Sequence, residues 1–516
     1  MTSTVEAPAI SQASADARYL KSTTDVQRVP APTGNETTDS AAIQAAHDAL
    51  PSYGGEIVLA AGAYGLSGVT FTKPVTLTGK GMGDPYAGRQ GSSDTNHRNA
   101  RGITSLLVSS ATIDALTVVN GCTLRDFTMV NTATTPTAGS GIKVATGNSL
   151  RFQRVAVLGF YDNVSFVIQG EYWTMEDCFM YEPVRYGLWL RNTQNGDAGD
   201  GVVQGCSFVC INRLASAAIR YESGGGLKIT GLKVNGRNPT GAFTTGVDLA
   251  LADGVATADL LITTSSFENI SGYAVRLGRV SGGTNGTMSG FLISDNEIGY
   301  QVGSSGGGIS LSAGLSLGEI NGNVFQYLAT GILVNGSTGV NIGTNSYSSV
   351  TTPVSITTSA SNSCRVGVQN RVDAGVIVAD ASTAIGNIVP VKYDYRRDTQ
   401  FVSSGGVNFF TFVVAAYQAG ILEFEFIGLA SGVSGASWKG SRSYVRSGAG
   451  VAPVIATVGT DIQVGVAAAQ MAISFPSATD GTVSLRLALA GGATATDIQG
   501  LLTIKIGGQL VSFSLA

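Results

Sequence analysis

A six-residue strand pattern returns nine times between Leu124 and Tyr347, and no other feature of the chain restricts its fold as much. Each copy offers an inward apolar residue, an outward residue, a bend residue, then two inward residues separated by an outward one. The copies are LRDFTM from Leu124, FQRVAV from Phe152, MEDCFM from Met175, VQGCSF from Val203, ITGLKV from Ile229, ITTSSF from Ile262, ISDNEI from Ile293, INGNVF from Ile320 and IGTNSY from Ile342. Their anchors lie 28, 23, 28, 26, 33, 31, 27 and 22 residues apart. A leucine-rich or propeller repeat holds its period more tightly, whereas a coil of parallel strands absorbs insertions at its turns. Variable spacing around a fixed strand pattern therefore predicts an all-β fold, a right-handed parallel β-helix with one copy per rung.

A second strand follows most copies, usually entered through Gly or Ala: GIKV, GLWL, AIRY, GVDL, AVRL, GISL and GILV. Alternation points Ile142, Leu188, Ile219, Val247, Val275, Ile309 and Ile332 inward and the residues between them outward. In the first strand, one interior column runs Met129, Val157, Met180, Phe208, Val234, Phe267, Ile298, Phe325, Tyr347. Another begins Phe127, Val155, Cys178, Cys206, Leu232 and ends in Asn296, Asn323, Asn345. Repeated buried asparagines are expected to bond the backbone and one another as a polar ladder.

Composition agrees with many short strands: Gly is abundant at 69 residues and charged residues make up only 13%. A net charge of -4 without a basic run offers nucleic acid no electrostatic partner. No apolar stretch is long enough to insert in a membrane, and the N-terminus lacks the basic-then-apolar pattern of a signal peptide. The five cysteines (Cys122, Cys178, Cys206, Cys210, Cys364) are odd in number and lack ligand spacing, so they are read as buried small hydrophobes. With only His47 and His97, neither a serine-hydrolase triad nor a zinc site is expected; no metal and no cofactor is implied. His97 sits in a polar insert, read as a surface loop.

The run TTDSAAIQAAHDALPSYGGEIVLAAGAYGLSGVTFTKPVTLTGKGMG, residues 37 to 83, resembles the opening of the pectate-lyase-like superfamily, which phage tailspikes and tail-associated depolymerases share. The resemblance implies a short amphipathic helix over the N-terminal end of the coil. The residues allow it: Thr38 or Asp39 as cap, Ile43, Ala46 and Leu50 as apolar stripe, and Pro51 as stop. Past about residue 370 the rung pattern ceases, and runs such as AGILEFEFIGL and LLTIKIGGQLVSFSLA read as an antiparallel β-sandwich. The expected organisation is 1–35, an attachment segment; 36–370, cap and β-helix; 371–516, the C-terminal sandwich. The resemblance implies that this last part is a trimerisation domain, hence a homotrimer; a carbohydrate-binding module is the competing reading.

Glycoside hydrolysis needs two carboxylates beside a surface that holds sugar. The densest run of acids and aromatics is EYWTMEDCFMYEPVRYGLWLRN. It nominates Glu176 and Glu182 as catalytic acids and Trp173, Tyr181, Tyr186 and Trp189 as sugar platforms, with burial in a trimer interface as the alternative. Asp177, at the bend, is read as structural. Outward positions of the second strand align Trp189, Arg220, Asp248 and Arg276 in one column. Glu222 lies close to Asp248, with α-carbons about 8 Å apart by strand geometry, so the pair suits an inverting acid and base. An ordinary salt ladder is the alternative. Arg220 and Arg276 join the substrate-binding set. Glu268, Glu297 and Glu319 stand in reserve, and Asp197 and Asp200 are turn residues.

These readings lead to a bacteriophage tailspike that binds a bacterial surface polysaccharide, capsule or O-antigen, and depolymerises it by endo-glycosidic hydrolysis. The alternatives are a polysaccharide lyase acting by β-elimination and a non-catalytic glycan-binding adhesin. Expected partners are the polysaccharide, two further copies of the chain, and a phage tail or baseplate protein held through the N-terminus. The expected place is the virion tail, after synthesis in the host cytoplasm without a signal peptide.

Overall fold

The structure, a computed structural model, describes residues 25–83, 103–168, 170–191, 200–222, 225–237, 241–299, 306–357, 364–367 and 369. Further on it describes 376–380, 395–397, 407–414, 418–430, 433–447, 452–457, 462–464, 471–474, 477, 482–489, 498–507 and 510–515. His97 and Asp197 lie outside the described residues. The chain divides into two compact units, Met1–Gln194 with Ala198–Val209, and Asn195–Asp197 with Cys210–Ala516.

In the first unit the helix Glu36–Asp48 precedes the main rungs. Its cap is Asn35, which is extended (φ -92°) and accepts the Thr38 N–H, so the expectation of Thr38 or Asp39 is corrected. Asp39 is buried in the first helical turn. Its carboxylate accepts the N–H groups of Thr33, Gly34 and Gly65, pinning the helix to the strand Gly62–Gly65. Ile43, Ala46 and Leu50 form the buried stripe.

The strands of this unit pair in parallel, rung on rung. Thr123–Asn131 lies beside Arg151–Leu158, which lies beside Trp173–Glu176 and Phe179–Tyr181. Register sets Met129 against Val157, Val157 against Met180 and Met180 against Phe208, and all four are buried. A second stack sets Ile142 against Val164 and Val164 against Leu188. The strand Asp162–Phe166, which carries Val164, is a rung member that the repeat did not reveal.

The second unit continues the same grammar. Ile219, Val247, Val275, Ile309 and Ile332 are consecutive partners, as are Val234, Phe267, Ile298, Phe325 and Tyr347. The asparagine ladder is present. Asn296 Nδ2 donates to Asn323 Oδ1 at 2.9 Å, Asn323 Nδ2 donates to Asn345 Oδ1 at 3.0 Å, and Gln369 Oε1 accepts the Asn345 N–H at 3.3 Å. Parallel pairing gives way at Val376–Asp380, which pairs in parallel with Ser346–Ile356 and antiparallel with Leu510–Leu515. Beyond it the pairing is antiparallel, as between Gln418–Ala430 and its neighbours Val433–Arg446 and Ile498–Gly507.

The bend in each rung has a definite backbone cause. The third residue of the repeat is left-handed at Asp126, Arg154, Asp177 and Gly205 in the first unit and at Gly231, Thr264, Asp295 and Gly322 in the second. For a side-chain-bearing residue this costs roughly 1–2 kcal/mol, offset by the hydrophobic stacks that the corner brings together. Gly205 is small for a further reason: a Cβ there would stand 2.6 Å from Asp177 Oδ1 of the preceding rung.

Candidate functional site

The strands of the second unit build one outward column, Arg220, Asp248, Arg276, Ser310, from the successive partners Leu214–Tyr221, Ala242–Leu251, Tyr273–Arg279 and Gly307–Leu311. Asp248 is only 3% exposed, and three guanidinium N–H groups converge on it. Arg220 Nη1 donates to its Oδ2 at 2.5 Å, while Arg276 donates from Nε to Oδ1 at 2.8 Å and from Nη2 to Oδ2 at 2.9 Å. Arg220 Nε also reaches Glu222 Oε1 at 3.4 Å. The structure thus brings Arg220, Glu222, Asp248 and Arg276 together. Asp248 is not the exposed carboxylate expected of it: it is a buried anion that aims two arginines, because a carboxylate between two cations is best solvated by both.

Beside this column opens a cleft of about 340 Å³, lined by Arg276, Arg279, Ser310, Ser312 and the small residues Ala250 and Gly278. A Cβ on Gly278 would run into Ser312 Oγ, so the recess depends on bare backbone there. Arg279 is anchored through Nε, which donates to the Gly286 carbonyl at 2.8 Å. Its volume lies at the small end of the range of ligand sites, about 300–1,000 Å³.

The first unit places its nominated residues otherwise. Trp173 is fully buried, packed 4.9 Å from the Phe166 ring, and Tyr181 is 8% exposed and stacked on Phe179. Neither is an open sugar platform. Trp173 faces Gly201 in the next rung, and only a residue without a side chain leaves space for the indole. Tyr172, just before the strand, is left-handed (φ 60°) and 69% exposed. Glu182 is 5% exposed, so it too is a core acid and not a surface one. Glu176 remains at the surface, accepting from Gln153 Nε2 at 2.9 Å.

Tyr186 and Trp189 do meet, 5.5 Å apart, around a cation. The Arg185 guanidinium lies 4.6 Å from the Tyr161 ring, 4.9 Å from Tyr186 and 4.2 Å from Trp189, and Arg191 also lies over Trp189 at 4.2 Å. Arg185 forks onto Asp162 at 3.0 and 2.6 Å. Burial pushes the Asp162 carboxyl above its ordinary 3.8, and the Arg185 hydrogen bond partly opposes that rise. The repeat gives no signal for Asp162, because its strand, DNVSF, buries polar residues and does not follow the rung pattern.

Stacked parallel rungs define a parallel β-helix protein, here with a surface cleft of guanidinium and hydroxyl groups on its second unit. No family model matches the chain, and no curated protein matches its sequence. Solved structures of similar architecture include bacteriophage tailspikes. The tailspike protein gp49 of Acinetobacter baumannii bacteriophage Fri1, a capsular polysaccharide depolymerase, is 12% identical over 95% of this chain and 88% of that one, with a TM-score of 0.36. The full-length tailspike protein 2 of the Escherichia coli O157:H7 bacteriophage CAB120 is 13% identical over 94% and 73%, with a TM-score of 0.45. The A-module of a mannuronan C-5 epimerase of Azotobacter vinelandii is 16% identical over 71% and 100%, with a TM-score of 0.46.

Proposed function

We propose that this protein is a tailspike-type depolymerase that grips a bacterial surface polysaccharide, capsule or O-antigen, and hydrolyses its internal glycosidic bonds. The observation that carries the reading is the cluster on the second unit's outward face. Glu222, a partly exposed carboxylate, sits beside Arg220, and the Asp248-held arginines line a cleft. Such a surface offers hydrogen bonds to sugar hydroxyls and an acid to protonate a leaving oxygen. Glu222 is the first acid to test and Glu176 the second, with Glu268, Glu297 and Glu319 behind them. Asp248 and Glu182 are assigned supporting roles because of their burial.

Arg276, half exposed at the cleft, favours one alternative: a lyase in which the cation neutralises a uronate carboxylate while a base removes the neighbouring proton. A non-catalytic adhesin would use the same surface for binding alone. The remainder of the proposal is a homotrimer assembled through residues 371–516, a β-helix over 36–370, and attachment to the virion tail through 1–35.

The test is incubation of the full chain with purified capsular and O-antigen polysaccharides. Shorter chains with new reducing ends and no unsaturated uronate absorbance are the expected outcome; unsaturated product transfers the reading to a lyase. Polymer length unchanged on every bound polysaccharide leaves an adhesin. Light scattering at one chain mass would remove the trimer.

A further inference from the structure

We propose that the cleft beside Arg276 and Arg279 is a receptor for an acidic sugar, a pyranose ring bearing a carboxylate. The proposal rests on the reading of the protein as polysaccharide-active and names the chemistry of the residue that the surface selects.

Hydrogen-bonding capacity makes the case. The lining's charged groups facing the ligand are donors, the guanidiniums of Arg276, half exposed, and of Arg279; the hydroxyls of Ser281 and Ser310 can donate as well as accept, while that of Ser312 donates to the Leu277 carbonyl. Its one carboxylate, Asp248, already accepts three guanidinium hydrogen bonds. A ligand rich in acceptors matches this lining, and a ligand rich in donors does not. Two acids stand nearby without reversing that balance. Glu222 accepts from Arg220, and Asp253 accepts the backbone N–H groups of Thr284 and Asn285.

Shape agrees with charge. Ala250, Gly278 and Ser312 give the recess a floor without bulk, so a ring can approach the backbone while its carboxylate meets the arginines at the side. Both arginines are held before any ligand arrives, Arg276 by Asp248 and Arg279 by the Gly286 carbonyl. Less side-chain freedom is then lost on binding. Guanidinium matches the planar carboxylate in a two-pronged geometry that an ammonium cannot reproduce.

The experiment applies the full chain to immobilised bacterial-type glycans bearing uronates, phosphates or no charge, and to the uronate glycans after reduction of their carboxyl groups to alcohols. Retention of uronate glycans is expected, with affinity falling about tenfold or more on carboxyl reduction. Arg279→Gln and Arg276→Gln should each weaken binding by about tenfold, and Arg279→Lys, which keeps the charge but loses the fork, should recover only part of the loss. Melting curves establish that the variants fold; Arg279 is anchored by the Gly286 carbonyl, apart from the Asp248 fork, and keeps the test valid if the Arg276 variant does not. Equal retention of neutral or carboxyl-reduced glycans, retention of phosphate glycans alone, or unchanged affinity in folded variants overturns the proposal. A neutral polysaccharide bound and cleaved equally by parent and variants leaves the depolymerase reading intact and removes only the acidic-sugar receptor. Retention of no glycan removes both.

Discussion

Arg276 grips both oxygens of Asp248, Nε on Oδ1 at 2.8 Å and Nη2 on Oδ2 at 2.9 Å, yet half of its side chain stays in solvent while Asp248 is buried. One partner of this pair is structural and the other is presented. The asymmetry gives the first prediction. Asp248→Asn takes from the largely buried Arg220 its closer carboxylate, leaving the longer 3.4 Å contact to Glu222, and should cost about 3–5 kcal/mol. Arg276→Gln should cost about 1 kcal/mol or less, as for an exposed ion-pair member. Denaturant unfolding of the two variants measures both, and equal losses would show that Arg276 is as structural as its partner.

The asparagine ladder gives the second. Asn323 accepts from the backbone and side chain of Asn296 and donates to Asn345 and to the carbonyls of Ile293 and Asn321. Asn323→Ala strands several buried polar groups at once, each costing about 1–3 kcal/mol, so a total above that of a single bond is expected. Amide exchange should rise first at Asn296, whose N–H is held by the Asn323 side-chain oxygen.

Trp173 gives the third. Its Nε1 is buried without a hydrogen-bond partner among the described residues, and its ring packs on Phe166. Trp173→Phe removes that unsatisfied donor and should change stability little, whereas Trp173→Ala should cost about 3–5 kcal/mol. Glycan affinity should be the same in parent and Phe variant. A tenfold loss in the folded Phe variant would return the residue to the binding surface.

Acid titration gives the fourth. Burial raises the folded-state carboxyl of Asp162, so the folded state holds its proton to higher pH than the unfolded chain does. Between the unfolded value and the raised one, stability therefore falls as pH rises. Asp162→Asn lacks this slope. Its melting temperature should improve relative to the parent on going from about pH 4 upward, whatever constant offset the loss of the Arg185 fork imposes. A relative decline over that interval would contradict the assigned direction.

The rung architecture was legible because a corner in each turn of a coil needs the same local solution, and Asp126, Asp177, Gly205, Asp295 and Gly322 advertise it. Stacking at every rung then repeats the interior residue types. The Asp162–Phe166 strand escaped because DNVSF carries polar residues at positions that are buried: Asp162 is satisfied by Arg185, and Ser165 by Ser140. The site was less legible for the same reason. Whether Trp173 faces in or out depends on one residue of register, and the deciding neighbour, Gly201, lies in a different rung. Arg220, Asp248 and Arg276 were found in line because one column of a coil is fixed by alternation. How deeply Asp248 sits depends on the length and tilt of two arginine side chains, which no spacing encodes.

Val376–Asp380 is paired on both sides, in parallel with Ser346–Ile356 and antiparallel with Leu510–Leu515. A stack of parallel strands is an open-ended template: its last member presents unpaired amides to any strand in solution, including one from another copy. Here the chain itself occupies that position, in the reverse direction, so further parallel growth stops. The stopper, however, is encoded far downstream of the strand it covers. During synthesis the edge stays bare until Leu510–Leu515 has been made, and that interval is when newly made chains are most exposed to wrong pairing with one another.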